Sequence, residues 1–287
     1  MNKATTETIV KEIDTMDGLI PFEDDCMFSS VMKRKDACIG LIEALFGGRR
    51  VRDIEYLDDS GEPHVQKHMS IYPGSKSIRL DVYFEDSDAV YDVEFQKIDQ
   101  GDLPKRARLY SSYMDTGTLA KGMAYRDMKK SYVIFICKFD PFGCGDKVYH
   151  LETVCRKRPN LQIEDGRYIM FLNTKGTLGE SYPDLDALFK YINGGVDSIG
   201  NETGSPLVDR LDGYVVELNR SQEWRRERMK YELNLEERYR EGRVDGLSQG
   251  IEEERMRMVK SFKEQGVPLD VIAKAASLSV DEVRKIQ

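Results

Sequence analysis

Residues 78–96 read IRLDVYFEDSDAVYDVEFQ. In the first half Ile78, Leu80, Val82 and Phe84 alternate with Arg79, Asp81 and Tyr83. In the second, Tyr91, Val93 and Phe95 alternate with Asp92, Glu94 and Gln96. A period of two predicts strands with one apolar and one polar face. A two-residue loop at Ser87-Asp88 joins them as an antiparallel hairpin. It sets Leu80 against Phe95, Val82 against Val93 and Phe84 against Tyr91. On the polar face Asp81 then opposes Glu94, Tyr83 opposes Asp92 and Arg79 opposes Gln96. A slip of one residue would oppose apolar to polar throughout, so the pattern itself selects this register.

Directly opposed residues hold their Cβ atoms about 5 Å apart. Two carboxylates at that distance repel unless positive charge lies between them. A hard divalent cation such as Mg²⁺ supplies it, being held by one or two carboxylates together with waters and substrate phosphates. Such a site polarises a phosphoryl oxygen and activates water. On spacing alone, a solvated sheet face whose charges Arg79 relieves is the simpler reading.

Working outward, residues 24–46 have helical apolar spacing and stop at Gly47-Gly48. Strands are expected at 51–57, 65–72, 78–84 and 90–96, then a helix at 103–116 with Pro104 in its first turn. The apolar run 132–139 predicts a strand buried on both faces. Strands at 148–155 and 167–172 and a helix at 185–192 complete an interleaved α/β pattern. Residues 194–205, rich in Gly, Ser and Asn, predict a linker. Beyond it the pattern is helical, with charges placed for i,i+4 pairing and Gly242, Gly246 and Gly250 four residues apart. In 266–287 Pro268 opens one helix whose Val271, Ile272 and Ala275 face inward. Ser279 and Glu282 form a capping box for a second, with Val283 and Ile286 packing back. The expected organisation is therefore 1–200 as the α/β domain, 205–265 as a long helical segment and 266–287 as a small helical hairpin.

Composition narrows the function. The chain has 287 residues, 40% hydrophobic and 33% charged, enough apolar content for a core beneath a charged surface. Its N-terminal segment lacks the apolar stretch of a signal peptide. The run 132–137 is too short to span a bilayer. Five widely spaced cysteines without a CxxC pair oppose a disulfide framework or zinc knuckle, and together these features predict a cytoplasmic protein. The net charge of −8 gives no bulk attraction for nucleic acid, so such a partner needs a local patch. Residues 97–130 provide one, with eight basic side chains against four acidic.

The Asp81 and Glu94-Phe95-Gln96 arrangement resembles the core of the PD-(D/E)XK nuclease superfamily. More narrowly it is similar to the Rpn recombination-promoting nucleases, often labelled transposases. RLDVYFEDSDAVYDVEFQ, the KRARLYSSYMD helix, the SYVIFICKFDPFG strand and the Gly-spaced C-terminal helix with its hairpin carry the likeness, from about residue 24 onward. The resemblance implies a restriction-endonuclease-like mixed sheet flanked by helices, with an all-helical C-terminal extension. It implies a metal-dependent DNA endonuclease, linked to DNA recombination or mobility. Asp81 and Glu94 would hold Mg²⁺ or another divalent cation, with the Phe95 carbonyl completing the set. Gln96 stands where the superfamily usually has lysine; its amide can orient water but supplies no charge. Glu43 is the first-helix acid that such sites often add. Arg79, Arg106 and Tyr110 would contact substrate, and the C-terminal helices would join copies of the chain. The alternative is a nuclease fold that no longer cuts and serves as a nucleic-acid-binding or self-assembly module.

Overall fold

The computed structural model describes residues 18–47, 67–69, 78–119, 122–161, 163–180 and 182–286, with the backbone alone at 67–69, 78 and 79. The strand expected at 51–57 and most of that at 65–72 lie outside these residues. The chain divides into two compact units, Met1–Gln222 and Glu223–Gln287.

The first unit is built on a five-stranded mixed sheet. Helices α1 (Asp25–Met32) and α2 (Lys35–Leu45) come first. The single helix expected over 24–46 is thus broken at Arg34, whose backbone is extended at φ −91° and ψ 120°. Its guanidinium bridges to Glu217 at 2.8 Å and covers the Tyr214 ring at 4.0 Å. Asp24 caps α1 by accepting from the backbone N–H groups of Cys26 and Met27, both at 3.1 Å.

β1 (Lys67–Met69) and β2 (Ile78–Leu80) form a separate antiparallel pair. Next come β3 (Val82–Glu85), β4 (Ala89–Gln96), α3 (Leu103–Thr118), β5 (Lys130–Cys137), β6 (Val148–Leu151) and β7 (Arg167–Asn173). The sheet order is β3-β4-β5-β7-β6; β4, β5 and β7 are parallel and the two edge strands antiparallel. Helix α3 is the crossover that parallel β4 and β5 require. The β3–β4 register is the one expected, pairing Val82 with Val93, Tyr83 with Asp92 and Phe84 with Tyr91.

Two features of the hairpin differ from the periodicity. The ladder ends at Val82, because Asp81 is a bend that separates β2 from β3. Leu80 consequently shares a core cluster with Tyr83, which a regular strand would forbid. It does not pair with Phe95. Secondly, β4 is buried on both faces from Ala89 to Phe95. One face packs on α1, with Phe95 against Phe28 at 5.6 Å between ring centroids. The other lies beneath α3, among Ala107, Tyr110, Tyr113 and Met114. The polar face is therefore interior.

Residues 194–205 are not a loose linker. A 3-10 turn occupies Gly195–Ser198, and Gly200 donates its N–H to Asp212. Helices α4 (Pro183–Gly194) and α5 (Pro206–Arg220) belong to the first unit, since α5 packs on α1, α2 and α4. Asn219 ties it back by bonding both backbone groups of Ile20 at 2.9 Å.

In the second unit α6 (Gln222–Glu264) is followed by α7 (Leu269–Ala276) and α8 (Val280–Lys285). Val259, Ile272, Ala273, Ala276 and Val283 form its core, with Ile286 packed against it. Val271 and Ala275, expected inside, are exposed; Ala273 and Ala276 take their place. The capping box between Ser279 and Glu282 is present.

Candidate active site

Strand periodicity puts Asp92, Glu94 and Gln96 on the face of β4 that α3 covers. Glu94 is 2% exposed and Asp92 is fully buried. Glu94 Oε1 accepts the backbone N–H of Asp81 at 3.0 Å, so the bend that ends the ladder also turns a donor onto this carboxylate. Glu94 Oε2 faces Arg106 at 3.5 Å. Arg106 Nη1 donates to Gln96 Oε1 at 2.9 Å, and Nη2 donates to the Tyr110 hydroxyl at 3.2 Å. Arg106 and Tyr110, four apart on α3, meet on one helical face. The Tyr110 ring stacks on Phe135 at 6.1 Å, which fixes the helix over the sheet.

Asp92 is the residue that the sequence pattern did not single out. Neither carboxyl oxygen receives a hydrogen bond, and both are shut from solvent. Burial pushes its pKa well above the ordinary carboxylate range, and the charges of Glu94 and Asp81 push it further. Its position two residues before Glu94, on the same strand face, was the available signal. Tyr110 is pushed up to about 12, first by burial and then by the Glu94 charge, with Arg106 opposing. At Arg106 burial works against the charge, but the Tyr110 hydrogen bond and the charges of Glu94 and Asp102 outweigh it, so the pKa rises.

The structure thus joins Asp81, Glu94, Gln96, Arg106 and Tyr110 in one hydrogen-bonded network. It does not bring Glu43 into it: α2 packs on α1, α4 and α5, and no described hydrogen bond links Glu43 to the others. The Arg79 side chain lies outside the described residues. The basic stretch 97–130 is partly committed to ion pairs, with Lys97 on Asp25 at 3.3 Å and Lys129 on Glu85 at 2.7 Å. Lys105, Arg108, Arg126 and Lys130 are exposed, and Lys121 is outside the described residues. A surface cavity of about 640 Å³ along α5 shares no residue with the network.

The chemistry of the donors suits a hard cation: Asp81, Asp92 and Glu94 offer carboxyl oxygens, and those of Asp92 accept no hydrogen bond. Among the described residues no group of three or more His, Cys, Asp or Glu side chains is gathered for a metal ion. A cation here would complete its shell with water and phosphate oxygens, as Mg²⁺ commonly does.

A family model for PD-(D/E)XK nuclease family transposases matches residues 25–177. The chain belongs to this family. The match runs from the start of α1 to just beyond β7, so it includes the hairpin, α3 and the buried β5 strand. No curated protein and no solved structure matches the chain. The mixed sheet with flanking helices is a PD-(D/E)XK-like α/β fold, followed by a helical C-terminal region. Among the described residues no helix is long and apolar enough to cross a membrane.

Proposed function

We propose that this PD-(D/E)XK family member is a metal-dependent DNA endonuclease acting in DNA recombination or mobility. The observation that supports it most is the pair of buried carboxyls, Asp92 and Glu94, on one strand beside Asp81. Burying an acid whose oxygens accept no hydrogen bond, as at Asp92, is costly. A fold retains it most readily where a cation arrives to offset it.

Asp81, Glu94 and the Phe95 carbonyl would hold Mg²⁺ or another divalent cation, with Asp92 buried on the same strand face. When bound, the cation polarises a phosphoryl oxygen and lowers the pKa of water. Glu94 accepts from the Asp81 N–H and faces the Arg106 guanidinium. Lys105 and Arg108 project from α3 and would contact DNA phosphates, a salt-dependent interaction. The test is cleavage of plasmid DNA with and without Mg²⁺, comparing the wild type with Asp81→Ala and Glu94→Ala. Loss of cutting in both variants supports the assignment; equal cutting by all three refutes it.

A second reading, a self-assembly module, is favoured by α6. Val244, Leu247 and Ile251 recur at spacings of three and four and are 61%, 66% and 54% exposed. This spacing matches the a/d positions through which coiled-coil helices pair. Self-association along it is compatible with either activity.

A further inference from the structure

Carboxylates at Asp81 and Glu94 repel a phosphodiester, and position 96 is a neutral glutamine. We propose that Arg106 supplies the missing cation, acting together with Gln96 as the phosphate-facing element of the site. This rests on the nuclease reading and deepens it.

The geometry is specific. Arginine carries five donors and no acceptor. Its hydrogen bond to Gln96 must therefore use Oε1, as the 2.9 Å contact does. That choice turns the Gln96 Nε2 group away from the guanidinium and presents two donors. A donor-only group beside a cation selects an anionic acceptor, a phosphoryl oxygen, rather than steering the hydrogens of water. Arg106 is also held from several sides. Its guanidinium reaches Glu94 at 3.5 Å and Tyr110 at 3.2 Å, and lies 5.7 Å from the Phe135 ring centroid. The planar fork spans these partners at once, which a lysine ammonium cannot. Its side chain is 24% exposed while Glu94 is 2% exposed, so an edge of the cation still faces outward. A positive charge fixed in a partly dry site stabilises developing phosphoryl charge with little reorganisation.

The test compares Mg²⁺-dependent cleavage by the wild type, Arg106→Gln and the double variant Gln96→Lys/Arg106→Gln, which moves the charge to position 96. Arg106→Gln should lose about 10²-fold in kcat with a smaller change in KM, and the double variant should recover at least about tenfold. Calorimetry with Mn²⁺ gives a readout that needs no turnover. Removing a cation beside Glu94 should tighten Mn²⁺ binding about threefold or more, from the Coulomb term alone. A packing role predicts unchanged or weaker binding. If Arg106→Gln does not fold, Gln96→Glu serves instead, because it gains an ion pair to Arg106 while placing negative charge where the phosphate would sit. Its cleavage should fall about 10²-fold. Wild-type cutting by Gln96→Glu, no recovery in the double variant, or weaker Mn²⁺ binding would overturn the proposal. Should Glu94→Ala cut like the wild type, the nuclease reading fails instead.

Discussion

Glu94 Oε1 accepts the backbone N–H of Asp81 at 3.0 Å across the β-hairpin, at the residue where strand pairing stops. The bend at Asp81 frees that N–H from the ladder, and the buried carboxylate takes it. The two residues are thereby joined through the backbone of one and the side chain of the other.

Replacing that carboxylate charge without changing its size gives the first expectation. Glu94→Gln should lower Mg²⁺-dependent cleavage about 10²–10³-fold, the scale of losing one group that stabilises the transition state. Divalent-ion binding should weaken in parallel by calorimetry. Unchanged Mn²⁺ affinity would remove Glu94 from the ligand set.

Asp92 predicts an unusual pH dependence. Its folded-state pKa is raised, so the native chain holds a proton that the unfolded chain releases. Its contribution to stability is full below the ordinary carboxylate pKa and is lost as pH rises through the raised value. Asp92→Asn should therefore melt higher than the wild type near pH 7 without divalent ions, by about 2–4 °C per kcal/mol recovered. The difference should vanish near pH 4, close to the ordinary aspartate pKa. Thermal melts across that range check the sign, and a variant that melts lower at pH 7 contradicts it.

Self-association along α6 is tested by Leu247→Glu. Charge on the Val244–Leu247–Ile251 stripe should shift sedimentation to the monomer while leaving the far-ultraviolet spectrum unchanged. A wild type that is already monomeric at tens of micromolar sinks the idea.

The α7–α8 hairpin offers a local stability test. Ser279→Ala removes the hydroxyl that accepts from the Glu282 N–H at 3.2 Å and itself donates to Glu282 Oε2 at 2.7 Å. The cost is about 1 kcal/mol. Hydrogen exchange in α8 should accelerate about fivefold, the equivalent population change.

Gly176 closes a tight approach: a Cβ there would meet the Asp146 carbonyl oxygen at 2.5 Å. The obstacle is backbone, which cannot rotate aside. Gly176→Ala should destabilise the fold by about 1–3 kcal/mol, measurable by urea titration.

Much of the architecture was legible locally. Alternation over 78–96 selected the β3–β4 register, the apolar run 132–139 marked the buried central strand, and Ser279 with Glu282 marked the start of α8. Each signal is carried by neighbouring residues, and strand and helix periods are local properties. The same alternation marked Asp92, Glu94 and Gln96 as one face, but not what would cover it. Only the packing of α3 decided that this face is interior. That packing turned Arg106 toward Gln96 and left Asp92 without a donor. It depends on Tyr110, Phe135 and Phe171, side chains distant in sequence that compete to fill one space. The break at Asp81 and the docking of α5 onto the first unit arose likewise, from burial satisfied across the fold rather than along the chain.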